Sequence, residues 1–146
     1  MASGTEPLPR PFAAPVAPNA GGNGGHLLVG VDMVEIERVV AARVRYGERF
    51  LARVFTPAER AGTGERSASL AARFAAKEAT AKALGTGIGA VSWQMIEIES
   101  LPGGQPTLRL HAAAAAHAHT LGIAEWQVSL SHSRTLAVAF VVGYRR

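Results

Sequence analysis

The sequence predicts a single α+β domain in which a long helix packs against an antiparallel sheet. Three observations carry that expectation. Segments of apolar and polar alternation come in pairs joined by turn residues, the mark of hairpins rather than parallel crossovers. One long segment, from about Ser67 to Leu84, has helical spacing throughout. Most remaining helical patterns are grouped in the first half instead of alternating with the strands.

Residues 1–25 hold Pro7, Pro9, Pro11, Pro15 and Pro18, then the run Gly21-Gly22-Asn23-Gly24-Gly25, and few bulky apolar side chains. Such a stretch buries too little surface to offset its ordering entropy, so it is expected as a disordered leader. It lacks the apolar core of a secretory signal. Residues 26–146 then form the folded domain, about 120 residues and a normal size for one core.

His26 to Val31 reads as a short strand. Val34 to Tyr46 has helical spacing through Ile36, Val39, Val40 and Val44. Phe50 to Phe55 continues to a helix start at Thr56, with Pro57 in the first turn and Glu59 completing a capping box. Gly62-Thr63-Gly64 breaks the chain before the long helix, and Gly85-Thr86-Gly87-Ile88-Gly89 ends that helix in a loop. Met95 to Glu99 and Thr107 to Leu110 alternate about the turn Leu101 to Pro106, giving a hairpin. Ala112 to Leu121 is an alanine-rich helix stopped by Gly122. Trp126 to Leu130 and Leu136 to Val142 are two further strands joined through Ser131-His132-Ser133-Arg134. No internal repeat is evident.

The longest apolar run, Leu136 to Val142, is far short of the roughly 20 residues a membrane-spanning helix needs, so a soluble, cytoplasmic protein is expected. The absence of cysteine excludes disulfides, thiolate nucleophiles and cysteine-held zinc. Any metal must be held by oxygen or imidazole, and oxygen suits Mg²⁺, Ca²⁺ or Mn²⁺. The net charge of +4 favours acidic partners. Much of the positive charge comes early, at Arg38, Arg43, Arg45, Arg49, Arg53 and Arg60. That segment interleaves few aromatic residues and matches no nucleic-acid recognition signature.

Beside the long helix, three places compete for chemistry: Asp32, His132, and the histidines His111, His117 and His119 about the alanine helix. In the long helix, Leu70, Phe74, Ala81 and Leu84 share a stripe, Lys77 lies inside it, and Glu78 borders it one turn before Lys82. Glu78 and Lys82 also fit an ordinary surface pair, and Lys77 fits a lysine whose methylenes lie on apolar surface with the ammonium in water. Asp32 fits either a site carboxylate or a helix N-cap with Glu35 three residues later. His132 lies in a strand-to-strand turn, where it fits either a ligand contact or a plain hydrogen bond. His117 and His119 are two apart, which in a helix points them to different sides and disfavours a zinc pair.

Together these segments resemble the small bacterial 4′-phosphopantetheinyl transferases, the holo-[acyl-carrier-protein] synthase family. The resemblance rests on Val29-Gly-Val-Asp32-Met-Val-Glu35-Ile-Glu-Arg38, Phe55-Thr-Pro-Ala-Glu59, Arg73-Phe-Ala-Ala-Lys77-Glu78-Ala-Thr-Ala-Lys82-Ala-Leu-Gly85-Thr-Gly-Ile-Gly89, Gly104-Gln-Pro106 and Val128-Ser-Leu-Ser-His132-Ser133. These occur in the family's order over about residues 27–145. Gln127 stands where histidine is frequent, and Arg134-Thr-Leu136 replaces more polar turns.

The resemblance implies a Mg²⁺-dependent transfer of phosphopantetheine from coenzyme A to a serine of an apo acyl carrier protein, in fatty-acid or polyketide synthesis. It implies Asp32 and Glu78 as ligands of Mg²⁺, with Mn²⁺ a substitute, and Lys82 beside the transferred phosphate. It places Arg73, Gly85, Pro106, His132 and Ser133 along the coenzyme A cleft. Arg38, Arg49 and Phe50 would meet the carrier, and three copies would assemble with active sites between them. Lys77 belongs to the signature without an assigned role. The serine's proton acceptor stays open between a metal-bound water and a carboxylate such as Glu78 or Glu35. A nucleic-acid-binding module and a non-catalytic trimeric scaffold are the alternatives, and neither would need Asp32 or Glu78.

Overall fold

The structure is a computed structural model that describes residues 27–145, so the expected leader lies outside the described residues. Strand β1 (Leu27–Glu35) is followed by helices α1 (Ile36–Tyr46), α2 (Glu48–Val54), α3 (Pro57–Thr63) and α4 (Ser67–Leu84). A 3-10 turn (Trp93–Met95) leads into strands β2 (Ile96–Ser100) and β3 (Pro106–Leu110), helix α5 (Ala112–Thr120), and strands β4 (Glu125–His132) and β5 (Leu136–Tyr144). The strands form two antiparallel sheets, one ordered β1-β5-β4 and the other the β2-β3 hairpin. The α+β expectation holds, with the strands divided between two sheets rather than gathered in one.

Two boundaries differ from the expectation. β1 runs on to Glu35 because β5 offers it partners along the whole length, from Leu27 opposite Tyr144 to Glu35 opposite Leu136. Asp32 therefore sits within a strand, opposite Ala139, and does not cap α1. Glu35 occupies the N-cap position of α1, without a side-chain cap. Phe50 to Phe55 is largely helical: α1 breaks at Gly47 and α2 restarts there, burying Phe50, Leu51 and Val54. The capping box of α3 forms as expected, with Thr56 Oγ1 accepting from the Glu59 amide at 3.2 Å and Glu59 Oε1 accepting from the Thr56 amide at 2.8 Å.

Helix α4 is the centre of the molecule. An amphipathic helix would hide one stripe, whereas this one is buried on nearly every side, with the β1-β5-β4 sheet on one flank and α1, α3 and β2 on others. Its sheet-facing residues are mostly alanine, and β5 answers with the buried Ala137, Ala139 and Val141. Small side chains on both surfaces let the backbones approach closely. At Gly30 the approach is extreme, since a Cβ there would lie 1.9 Å from the carbonyl oxygen of Ala79. Among the described residues no helix is long and apolar enough to cross a membrane.

Gly30→Ala is expected to cost about 3 kcal/mol or more, because neither the Ala79 carbonyl nor the strand has room to yield. Gly62→Ala, at a helical position with open space around it, should leave stability unchanged or raise it by about 0.5–1 kcal/mol. Urea midpoints of the two variants beside the parent would check both.

Candidate active site

β1 alternates its side chains, so Leu28, Gly30, Asp32 and Val34 face α4 while Leu27, Val29, Val31 and Met33 face away. The contact at Gly30 brings Asp32 against the second half of α4. There Lys82 Nζ lies 2.7 Å from Asp32 Oδ1 and 3.3 Å from the Val31 carbonyl oxygen. Lys82 thus reaches across to the strand, and its hydrogen-bonded carboxylate is Asp32 rather than the helical neighbour Glu78.

Glu78 is 6% exposed, and its Oε1 is buried without a hydrogen-bond partner. Burial pushes its carboxyl up to about 7, the Asp32 charge adds to the rise, and Lys82 opposes it. The two carboxylates and the ammonium are therefore one electrostatic unit. A buried, unpartnered carboxylate oxygen that feels a second carboxylate is what a small divalent cation would satisfy, and hard oxygen donors suit Mg²⁺ or Mn²⁺. No cluster of three or more histidine or acidic side chains capable of holding a metal occurs among the described residues. Two protein oxygens leave the remaining positions to water and substrate, the usual arrangement for Mg²⁺.

Lys77 departs from the expectation of a lysine with its head in water. It is 0% exposed, and its Nζ donates to Glu59 Oε1 at 2.7 Å and to the carbonyls of Ile96 at 2.6 Å and Trp93 at 3.0 Å. Glu59 Oε2 accepts from the Ile98 amide at 3.0 Å. Burial lowers the affinity of Lys77 for its proton, and the Glu59 charge opposes that fall. The sequence shows Glu59 as a capping residue but gives no sign of its partner 18 positions on. That pairing is tertiary, and no local period reports it.

The expected cleft residues form separate groups within one chain. Arg73, buried on α4, donates to Ser100 Oγ at 2.6 Å and to the Ser69 carbonyl at 3.3 Å, and Ser100 pairs with Pro106 across the hairpin. Burial pushes the Arg73 guanidinium down. Gly85 caps α4 at φ 74°, a left-handed conformation that suits glycine, and its amide bonds back to the helix. His117 Nε2 lies 2.9 Å from the Leu84 carbonyl just before that cap. His132 and Ser133 stand at the β4–β5 turn, where Ser133 Oγ accepts from the amides of Thr135 and Leu136.

Of the expected carrier contacts, Arg38 and Arg49 are exposed and Phe50 is buried. Phe50 is 4% exposed, with its ring edge-on to Phe55. It backs an open apolar depression that Arg38 borders and to which Val39, Ala42, Phe74 and Trp93 contribute. The depression does not include Asp32, Glu78 or Lys82. Part of the early positive charge is neutralised at home: Arg43 and Arg60 both bind Glu65, and Arg60 also binds Glu48. Hydrogen bonding to Glu65, then to Glu48, raises the Arg60 guanidinium further.

An α+β chain with two carboxylates and a lysine gathered between a first strand and a central helix carries the charged groups that a phosphoryl-group transferase uses. Residues 28–141 match the model of the 4′-phosphopantetheinyl transferase superfamily, and the chain belongs to it. Its relatives there include the holo-[acyl-carrier-protein] synthase of Herpetosiphon aurantiacus, 51% identical over 80% of this chain and 98% of the relative. The Dehalococcoides mccartyi enzyme of the same name is 52% identical over 80% of this chain and 97% of its own. Among solved structures, the Helicobacter pylori holo-[acyl-carrier-protein] synthase in complex with coenzyme A superposes with a TM-score of 0.73 at 33% identity, covering 80% of this chain and 99% of that one. The Bacillus anthracis enzyme in complex with coenzyme A (3′,5′-ADP) gives 0.66, also at 33% identity, covering 82% and 96%.

A pH-dependent stability follows for the metal-free protein. The folded Glu78 holds its proton up to about pH 7, whereas an exposed glutamic acid releases it near 4.5. The folded state therefore binds more protons between those values, and stability falls as pH rises through that window, by on the order of 3 kcal/mol. Unfolding midpoints in chelator from pH 4.5 to 8 should decline, and Glu78→Gln should flatten the decline.

Proposed function

We propose that this chain transfers the 4′-phosphopantetheine group from coenzyme A to a serine of an apo acyl carrier protein, acting in the cytoplasm. The observation that carries the reading is the meeting of Asp32, Glu78 and Lys82 at one point of the fold. It is supported by relatives about half identical to this chain that are named for that activity. The serine oxygen attacks the β-phosphorus of coenzyme A. The bond from that phosphorus to the bridging oxygen breaks, its electron pair leaves with adenosine 3′,5′-bisphosphate, and the serine's proton passes to a base at the site, a water molecule or a carboxylate such as Glu78 or Glu35.

Mg²⁺ or Mn²⁺ held by Asp32 and Glu78 would supply Lewis-acid neutralisation of the pyrophosphate. Lys82, oriented by Asp32 Oδ1 and the Val31 carbonyl, presents a fixed ammonium that offsets charge growing on the transferred and leaving oxygens. Asp32 thus serves the site by a second route, as the residue that aims the lysine. Burial of Glu78 keeps its carboxylate out of water, where each electrostatic contact is stronger. Arg73, Gly85, Pro106, His132 and Ser133 bind the remainder of coenzyme A.

Their separation within one chain supports a cleft built between copies. The outward face of the sheet supports the same reading: Leu27, Val29, Val31 and Met33 of β1 and Phe140 of β5 form an exposed apolar strip on the side away from α4. An exposed apolar strip is characteristic of interfaces, which supports assembly with further copies of this chain, as in a homotrimer. The carrier docks at α1 and α2, where Arg38 and Arg49 respectively meet its acidic helix beside the apolar depression backed by Phe50.

Mass spectrometry of apo carrier protein incubated with this protein, coenzyme A and Mg²⁺ should show a gain of one phosphopantetheine. The gain should vanish with Asp32→Ala or Glu78→Ala, and Lys82→Ala should slow it by about 10²-fold or more. No gain with several carriers would overturn the reading. Arg38→Glu should raise KM for the carrier well beyond any change for coenzyme A; equal changes would remove the docking assignment. Val31→Asp with Phe140→Asp should give folded monomers without activity, seen by light scattering and circular dichroism.

A further inference from the structure

Glu78 has little of its own to hold it in place. Its Oε1 has no hydrogen-bond partner, and the repulsion from Asp32 exceeds the attraction of Lys82. Its position is imposed by the helix that carries it. The sheet-facing surface of α4 is built from alanines, packed on Gly30, Ala137 and Ala139. That contact fixes how closely the helix approaches the strand at Gly30 and Ala79. A second restraint, a polar anchor, lies on another flank of the helix.

The residue before Glu78 is that anchor. All three Lys77 N–H donors are used, one on Glu59 and two on the carbonyls of Trp93 and Ile96. Glu59 is itself held by the Thr56 and Ile98 amides. The anchor therefore joins α4 to the start of α3, the 3-10 turn and β2, on the flank away from β1. Hydrogen bonds of this kind have fixed lengths and directions, which apolar contacts lack.

We propose that Lys77 is a positioning residue whose buried tether to Glu59 sets the rotation and register of α4 and so holds Glu78 toward Asp32 for a divalent cation. The inference rests on the reading of Asp32 and Glu78 as cation ligands. It makes Lys77 and Glu59 determinants of cation affinity, although neither touches the cation. A role confined to stability would leave that affinity unchanged in any variant that folds.

The test is binding of Mn²⁺, followed by electron paramagnetic resonance, to the full chain with coenzyme A present and carrier protein absent. Removing one partner alone strands a buried charge, so the informative variant is Lys77→Met with Glu59→Gln, which removes both charges. Folding is checked by urea denaturation. The double variant should bind Mn²⁺ about ten-fold or more weakly, as when the supporting contacts of a metal site are lost. Glu59→Gln alone keeps the shape and an acceptor for Lys77, and should show a smaller weakening in the same direction. Parent-like affinity in the folded variants would overturn the proposal while leaving the cation site standing. Failure of the parent itself to bind Mn²⁺, or parent-like binding by Asp32→Ala and Glu78→Ala, would overturn the cation reading and this inference with it.

Discussion

The close passage of β1 over α4 at Gly30 and Ala79 is the constraint from which the rest of the arrangement follows. A strand and a helix ordinarily stand apart by the thickness of their side chains, and an aspartate on the strand would then be too distant to share a site with a helical glutamate. Here the missing Cβ at residue 30 and the alanines of the helix remove that thickness. Asp32, two positions along the same face, consequently lies within hydrogen-bond reach of Lys82 and close enough to Glu78 to raise its proton affinity. The alanine content of α4 is thus more than helix propensity: it lets the strand close on the helix.

Close approach of that kind is achieved at the expense of interlocking side chains, and the opposite flank of the helix is built differently. Phe55, Leu51, Ile96 and Ile98 supply bulk there, and the ion pair of Lys77 with Glu59 lies among buried groups. A buried pair is weak evidence of stability, since desolvating two charges offsets most of their attraction. Its distinctive property is direction. Glu97 shows the same economy nearby: burial alone would raise its carboxyl, but hydrogen bonds from Thr56 and His111 and the Lys77 charge outweigh burial and hold it below the usual range. Thr56 and Glu59 in this flank each serve a helix cap and a tertiary contact.

What could be read from the residues, and what could not, divides along local and non-local lines. The Thr56 capping box, the Gly85 terminus, the β2-β3 hairpin and the antiparallel β4-β5 pair were legible because each rests on a few adjacent residues. The reach of β1 to Glu35 was not, because it depends on the length of a partner a hundred residues away. α2 was hidden by its shortness. The site residues Asp32, Glu78 and Lys82 stood out as candidates from their spacing, but only the pattern shared with a family joined them into one site. Their individual surroundings each fitted a plainer reading, and the bond from Lys82 to Asp32 in place of a helical pair is a fact of the fold. Lys77 was the least legible, because a lysine inside an apolar stripe ordinarily escapes to water, and its acceptors lie on three other elements.

One strand carries two tasks, and its period of two keeps them apart. The even residues Leu28, Gly30, Asp32 and Val34 face α4, and the odd residues Leu27, Val29, Val31 and Met33 face outward. A slip of one residue against β5 would turn Asp32 to the surface and drive Val29 or Val31 toward Ala79, where no room exists. Gly30 therefore sets the register as well as the distance. The same register lines up the outward apolar residues, with Val31 opposite Phe140, into one continuous strip. The face that suits assembly and the face that bears the first site carboxylate are thus consequences of a single alignment, and neither can be shifted without the other.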